Sequence, residues 1–349
     1  MSVADIFYIR PMGAISGGHT VPTAHVYIHP RNLGSAPPAP YGPERYPPPF
    51  EVTAPGDGYI VGIDTMAGHL RPAPDGQPIL VGDYYIEIYY SCTVSTVFIH
   101  VNELGPEILG VTGDFGEGSR WDWRNSRDKV PIPVKAGQVI AKVGSSFDFS
   151  VHDAKTALEG FAIPSRYSRL HINTVSPFDY FEEPLRTELR EKSLRAAEPR
   201  GGRIDFDIDG RLVGNWFLEG TEHHDEAKML AFAYDYLDPT QIRISLAGFV
   251  ERRGWGVHGN APDPAGITTE SGLIRYEITG TGWVVAATGE TWPEGSSHPG
   301  SELRGVNGDS RGTLLVEMLG DRRIKIEVFL GRPPSQVEGF TGAAQIYTR

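Results

Sequence analysis

Glycine and proline divide this chain into short segments along its whole length. The sequence contains 42 glycines and 28 prolines among 349 residues, about a fifth of the chain, with no collagen-like or low-complexity period. Both residues favour tight turns, and the segments between them are short runs of alternating or β-branched residues. This pattern predicts an all-β protein, and the length predicts two domains.

The runs between turns predict strands on both sides of a single helical segment. Before that segment the predicted strands are residues 24–29, 58–63, 84–90, 94–101, 138–143 and 147–152. After it they are residues 203–209, 211–217, 229–236, 241–247, 273–279, 282–288, 312–318, 323–329 and 345–348. Residues 35–50 contain seven prolines and predict an extended surface loop.

Residues 181–197, with the sequence FEEPLRTELREKSLRAA, are predicted to form the one clear helix. Acidic side chains come early and basic ones late, as the helix dipole favours, and Glu191 and Arg195 are spaced to pair. The EPRGG sequence at 198–202 then breaks the chain. We therefore expect a first domain over 1–180, a helical linker over 181–202 and a second domain over 203–349. The many short strands of the second domain predict a closed antiparallel barrel.

Charge and cysteine content exclude several classes of function. The chain has 32 basic and 44 acidic residues and a formal net charge of −12, which argues against nucleic-acid or anionic-membrane partners. A single cysteine, Cys92, excludes an internal disulfide framework and a thiolate metal cluster. No apolar segment resembles a signal peptide or a membrane span. We expect a soluble chain without membrane insertion, secreted or periplasmic only if a leader was removed, with its oligomeric state left open.

Histidines recur at alternating positions of three predicted strands. Side chains two residues apart share a face of a strand, so His25 lies on the same face as His29, and Ser150 on the same face as His152. His100 shares a face with Phe98 in a third strand. These strands would offer four imidazoles to one pocket. Zinc binds neutral imidazole readily, and three protein ligands with an open water position form the usual catalytic site.

Four segments of the first domain together resemble a known fold. They are the A-P-x-D-G turn at 54–58, the F-x-H at 98–100, the V-x-x-G-Q step at 134–138 and the late strand that ends at His152. In this the chain is similar, over residues 19–155, to the lysostaphin-type (LytM-like) zinc endopeptidases, which have the duplicated hybrid-motif or barrel-sandwich fold. Phosphocarrier domains of sugar transport share that fold, but they pair two histidines, and residues 84–90 here supply no second one.

The resemblance implies a set of site residues. His25, His29 and His152 would be the zinc ligands, with His29 at the position where the family has aspartate. His100 would assist the water or the oxyanion, and Ser150 stands where the family has a catalytic histidine. The loss of that histidine removes a group that exchanges protons near neutral pH. The metal is therefore expected to be better preserved than the peptidase activity.

The second domain carries a weaker resemblance. Gly214-Asn215-Trp216 is similar to the G-x-W signature of lipocalin-like (calycin) barrels, which commonly enclose an apolar ligand. Two functions follow as hypotheses. One is a divergent zinc-dependent hydrolase that acts on a peptide or small-molecule substrate. The other is a non-catalytic protein that binds a small apolar or carbohydrate ligand in the second barrel or between the domains.

Overall fold

The computed structural model describes residues 1–16, 18–31, 50–66, 69–72, 78–113, 116, 118–249, 253–294 and 300–349. Strands predominate and their ladders are antiparallel, so the predicted all-β class is confirmed. The proline-rich segment 35–50 lies outside the described residues except for its last residue, Phe50.

The strands and helices are numbered in chain order. The first fourteen strands are β1 (Ile6–Arg10), β2 (Val26–Pro30), β3 (Phe50–Thr53), β4 (Gly58–Thr65), β5 (His69–Pro72), β6 (Pro78–Val81), β7 (Tyr84–Tyr89), β8 (Val94–Val101), β9 (Glu103–Leu104), β10 (Arg120–Asp122), β11 (Ile132–Val134), β12 (Val139–Val143), β13 (Phe147–Asp153) and β14 (Thr174–Val175). The remaining strands are β15 (Gly214–Leu218), β16 (Met229–Tyr234), β17 (Ile242–Leu246), β18 (Gly256–Val257), β19 (Ile274–Val285), β20 (Thr291–Trp292), β21 (Leu303–Gly320), β22 (Arg323–Leu330) and β23 (Gln345–Thr348). The helices are α1 (Pro106–Thr112), α2 (Arg169–Ile172) and α3 (Leu185–Glu191). Single 3-10 turns occupy Val3–Asp5, Pro164–Arg166, Pro177–Tyr180, Glu226–Lys228, His258–Asn260, Pro264–Gly266, Thr269–Ser271 and Pro334–Gln336.

The chain forms two compact units that are not continuous in sequence. Unit 1 consists of residues 1–10, 25–156 and 174–193, and unit 2 consists of residues 11–24, 157–173 and 194–349. The division near residue 193 falls inside the predicted linker at 181–202. Two short earlier segments belong to unit 2, which no local sequence signal indicates.

Unit 1 contains a large sheet, a three-stranded sheet and the two-stranded sheet of β5 and β6. The large sheet has the order β1-β2-β13-β8-β7-β4-β10, and the three-stranded sheet has the order β3-β12-β9. In β13, Phe147 and Phe149 alternate with Asp148 and Ser150, so apolar and polar side chains leave opposite faces. Phe149 pairs with Phe98 of β8, which continues the apolar face onto the next strand. The polar face is the one that carries the histidines.

Unit 2 contains a single large sheet with the order β17-β16-β15-β23-β22-β21-β19-β18. Its two edges approach each other at one isolated bridge, where Ile244 and Trp255 exchange backbone hydrogen bonds. Strand β18 pairs with β19 on one side, and the contact with β17 on the other side is this single pair rather than a ladder. Among the described residues, strand pairing therefore does not close the sheet, and the predicted closed barrel is not formed.

Large side chains fill the interior of unit 2. Trp216, Phe232, Tyr276 and Tyr347 are all at most 1% exposed and belong to one apolar cluster. The guanidinium of Arg349 lies 4.0 Å from the centre of the Trp216 ring and donates to several backbone carbonyls of residues 208–215. Trp216 is therefore a core residue covered by a cation. The lipocalin-like resemblance stays a prediction.

Residues 203–209 do not form the predicted strand. The alternating sequence RIDFDID predicts that Ile208 is buried and Asp207 exposed, but Ile208 is 49% exposed and Asp207 is buried. The Asp207 carboxylate accepts hydrogen bonds from the backbone amides of Ala162 and Asn215. Hydrogen bonds to distant backbone groups thus replace the strand ladder that the alternation predicts.

The helix predicted over 181–197 is shorter in the structure. Helix α3 ends at Glu191, so the predicted pairing of Glu191 with Arg195 on one helical face is lost. Ser193 forms a parallel bridge with Ile9, and the buried Arg195 guanidinium donates to the carbonyl of Tyr236. These tertiary contacts pull the end of the segment out of the helix.

Candidate functional site

Two histidines approach one buried carboxylate on the polar face of the unit 1 sheet. The Nε2 atom of His25 lies 3.2 Å from Oδ2 of Asp148, and the Nε2 atom of His100 lies 3.6 Å from the same oxygen. The Asp148 side chain is 5% exposed, whereas that of His100 is 38% exposed. A carboxylate shielded from solvent thus lies between an enclosed imidazole and one that solvent reaches.

A break in the alternation of β8 directs His100 to this site. In β8, Ile99 is the residue that pairs with Asp148, so strict alternation would place His100 on the apolar face together with Phe98. His100 instead has a φ of +66°, a left-handed conformation in which histidine is enriched among non-glycine residues. The predicted shared face of Phe98 and His100 is therefore not formed, because Phe98 lies in the apolar interior and His100 contacts Asp148.

A second carboxylate holds the other nitrogen of His100. The Nδ1 atom lies 3.1 Å from both oxygens of Asp83, which directly precedes β7 and is buried. The result is a chain of alternating carboxylates and imidazoles in the order Asp83, His100, Asp148, His25. We call these four residues the His–Asp network. Asp83 was not predicted, and no pattern near it in the sequence indicates this role.

Ser150 and His152 continue the polar face of β13 beyond Asp148. Both are nearly buried. Tyr27 pairs with Asp148, and the ladder between β2 and β13 ends at Val26 and Phe149, so His25 lies just beyond it. His152 is four strand residues from Asp148, about 13 Å along the chain, and it pairs with Ser95 and Thr174 outside the network. Asp148, the residue that sequence reasoning missed, belongs to the same alternating D-x-S-x-H segment, which could have indicated it.

His29 lies apart from the network. Its ring stacks on that of Tyr8 with 4.3 Å between centroids, and its buried Nε2 atom has no hydrogen-bond partner among the described residues. Burial, with a smaller contribution from the nearby charge of Arg10, lowers the pKa of His29 to about 4. His29 is therefore uncharged at neutral pH and packs as an aromatic residue.

The predicted zinc ligands do not fit one metal ion. Zinc requires nitrogen ligands about 2.0–2.1 Å from the ion, but the His29 ring stacks on Tyr8 while the Nε2 atom of His25 approaches Asp148. Across the described parts of the chain, no group of three or more His, Cys, Asp or Glu side chains is arranged to hold a metal ion. The structure thus brings together His25 and His100, and it leaves His29 and His152 elsewhere on the face. Zinc stays a prediction.

Unit 2 contains a second carboxylate between two imidazoles. Oε1 of Glu226 lies 3.2 Å from Nε2 of His224 and 3.6 Å from Nδ1 of His19. The other oxygen accepts hydrogen bonds from the backbone amides of Thr20 and Val21. We call these residues the Glu226 cluster. Burial alone would raise the pKa of Glu226, but the hydrogen bonds from His19, His224 and Thr20 outweigh it and hold that pKa well below its usual range.

Two further observations concern the chain as a whole. In the part of the chain that the structure describes, no helix has the length and apolar character needed to cross a membrane. Comparison of the chain with protein-family models, with curated proteins and with solved structures found no match.

Proposed function

We propose that unit 1 is a hydrolase whose proton transfers are made by His25 and His100. The observation that carries this proposal is the approach of both Nε2 atoms to one oxygen of Asp148, at 3.2 and 3.6 Å. The proposal keeps the hydrolase that the resemblance implies, with a peptide or ester substrate. It assigns the chemistry to the His–Asp network and routes no step through a metal.

The carboxylate neighbours of each histidine favour a different role. His25 has one such neighbour, Asp148, 3.2 Å from its Nε2, and a carboxylate beside an imidazole supports its action as a proton acceptor. His100 has two, because Nδ1 is hydrogen-bonded to Asp83 and Nε2 lies 3.6 Å from Asp148. Two carboxylates favour the protonated ring, and Nε2, which is beyond hydrogen-bond distance of Asp148, is the nitrogen that we assign to proton donation. We therefore assign His25 as the general base and His100 as the general acid.

The proposed reaction conserves atoms and charge. His25 takes a proton from a water molecule, and the water oxygen bonds to the substrate carbonyl carbon. The bond from that carbon to the leaving nitrogen or oxygen breaks, and His100 gives its proton to the leaving group. One water is consumed, and solvent restores the starting protonation of the two rings. The 38% exposure of the His100 side chain supports its contact with substrate.

The test is an activity screen on the whole chain. Purified protein is assayed against peptide amides and p-nitrophenyl esters, with and without added zinc and with a chelator. His25→Gln and His100→Gln are each expected to lose 10²–10⁴-fold in kcat/KM, the usual contribution of a general acid or base. His223→Gln, at an exposed histidine of unit 2, is the matched control and should keep full activity.

The pH profile separates the two roles. Loss of the base should remove the rise of kcat/KM on the acidic side of the profile, and loss of the acid should remove the fall on its alkaline side. No hydrolysis by the folded wild-type protein in either substrate class would contradict the proposal. Full activity in both glutamine variants would contradict it as well. A strict requirement for zinc would restore the metal-dependent prediction and direct the search to other ligands.

A further inference from the structure

An apolar cavity lies inside unit 1, on the side of the large sheet opposite to the His–Asp network. Its volume is about 270 Å³. Strands β2, β8 and β13 form one wall through Ile28, Phe98 and Phe149, and Val52 and Leu189 lie on other sides. These residues come from the positions that alternate with the polar ones, so the same three strands present the cavity on one face and the network on the other.

The lining of the cavity indicates the chemistry of its occupant. Among the described residues that form it, the polar side chain and the charged group are the Thr53 hydroxyl and the N-terminal ammonium of Met1, and the ammonium donates a hydrogen bond to that hydroxyl at 3.1 Å. The other lining side chains are apolar, so a charged group on a ligand would lose its hydration over most of the cavity, which is strongly unfavourable. The occupant is therefore an uncharged, largely apolar molecule.

The size and ring content of the cavity narrow this class further. An apolar cavity of about 150 Å³ stays dry and accommodates benzene, so a cavity of about 270 Å³ has room for a substituted ring. The ring centroids of Phe98 and Phe149 are 5.0 Å apart, and those of Phe149 and Phe181 are 6.5 Å apart. Further rings pack favourably at such distances.

The cavity is partly open to solvent, so a small molecule can reach its apolar lining. The sequence has a small residue, Ala54, at this cavity, where a larger apolar side chain would fill part of the space. The geometry points to a binding site for a small uncharged aromatic molecule, an alkyl-substituted benzene in size and polarity.

The first experiment titrates the intact protein with toluene. Methyl resonances of Ile28 and Val52 are followed by NMR, and the melting temperature is measured at each concentration. We expect saturable shifts of both methyl groups and a melting temperature that keeps rising with toluene concentration, as linkage requires for a ligand of the native state. Absence of a saturable shift up to the solubility limit of toluene would overturn the proposal, and this readout needs no variant to fold.

A variant that fills the cavity locates the binding. Ala54→Leu places extra methyl groups in the space and should weaken toluene binding by about tenfold or more, a change of at least 1.4 kcal/mol. Val130→Leu, at a position that is 57% exposed, is the matched control and should bind as the wild type does. Equal affinity in a folded Ala54→Leu protein would show that toluene binds elsewhere. The inference does not rest on the proposed hydrolase, because toluene binding by a protein that shows no hydrolase activity would still support the binding site.

Discussion

The two units each place a carboxylate between two imidazoles, and they differ in the other groups that join the site. In unit 2, Glu226 also accepts hydrogen bonds from the backbone amides of Thr20 and Val21. In unit 1, His100 also contacts a second buried carboxylate, Asp83. The Glu226 cluster therefore holds the backbone at Thr20 and Val21 in place, whereas the His–Asp network links titratable side chains to one another.

Residue type alone therefore does not identify a catalytic site. The exposure of the outer histidines is similar, 33% for the side chain of His19 and 38% for that of His100. The two sites differ in the groups that surround the carboxylate: backbone amides in unit 2, and a second carboxylate on His100 in unit 1. A carboxylate bonded to backbone amides is a structural acceptor, and its removal leaves buried donors without partners. A carboxylate that links two imidazoles controls their orientation and protonation.

The largest expected effect comes from removing the charge of Asp148. Asp148→Asn keeps the shape of the side chain but cannot orient His25 and His100 as a carboxylate does, so we expect kcat/KM to fall by about 10²–10⁴-fold. Glu226→Gln, the equivalent change in unit 2, should leave kcat/KM within about threefold of the wild type. Both variants are assayed on the best substrate from the screen. Equal losses in the two variants would remove the distinction between the sites.

The next largest effect is on stability, and it is expected in unit 2 rather than in unit 1. Glu226→Ala leaves the amides of Thr20 and Val21 and two histidines without their acceptor, so we expect the free energy of unfolding to fall by about 3–5 kcal/mol. Urea unfolding at pH 7 measures this, and His223→Ala, at an exposed position, is the control. A loss below about 1 kcal/mol would contradict the structural role of the cluster.

The depressed pKa of Glu226 adds a dependence on pH. Because the folded protein holds this carboxyl ionised more strongly than the unfolded chain does, its stabilisation is complete above pH 4.5, the ordinary value. Below that pH the unfolded state binds more protons, so stability falls as the pH falls. Unfolding free energies between pH 5 and pH 3 should drop less steeply in Glu226→Ala than in the wild type. Parallel curves for the two proteins would contradict this assignment.

A histidine outside both sites gives a smaller effect in another pH range. The pKa of His29 is about 4 in the folded protein and 6.5 ordinarily, so the unfolded state binds more protons between these values. Stability should therefore decrease as the pH falls from 6.5 to about 4, by up to ~3 kcal/mol. His29→Phe preserves the ring that stacks on Tyr8 and should flatten this part of the stability curve. An unchanged slope in the variant would show that His29 does not cause it.

The elements that the sequence predicts well are those fixed by local pattern. The strand predicted over 94–101 has those bounds in the structure, because an uninterrupted β-branched and aromatic run lies between turns. Residues 203–209 fail because the burial of Asp207 depends on the distant amides of Ala162 and Asn215. The closed barrel is not formed because the two edges of its sheet share one isolated bridge, between Ile244 and Trp255, instead of a ladder.

The candidate site shows the same limit. The histidines of the three predicted strands include His25 and His100, which the fold brings to one carboxylate, His100 through a break in the alternation of β8. Alternation does not select Asp83, which lies 17 residues before His100 and meets it only after β7 and β8 pair. The left-handed backbone at His100 accompanies an irregularity of that pairing between Tyr84 and Ile86. Such a change of direction depends on the partner strand, so no local pattern contains it.

The smallest predicted effect tests the place of Ser150 in the network. Ser150 lies two residues from Asp148 on the same face of β13. If the attacking group is water, as we propose, Ser150→Ala removes only a neighbouring hydroxyl and should lower kcat/KM by less than about tenfold. A serine nucleophile would instead require a covalent acyl intermediate, visible as a burst of product in the first turnover. Ser95→Ala, at another nearly buried serine that pairs with His152, is the matched control. A burst in the wild type that disappears with Ser150→Ala would assign the attack to Ser150 and make His25 the base that activates it.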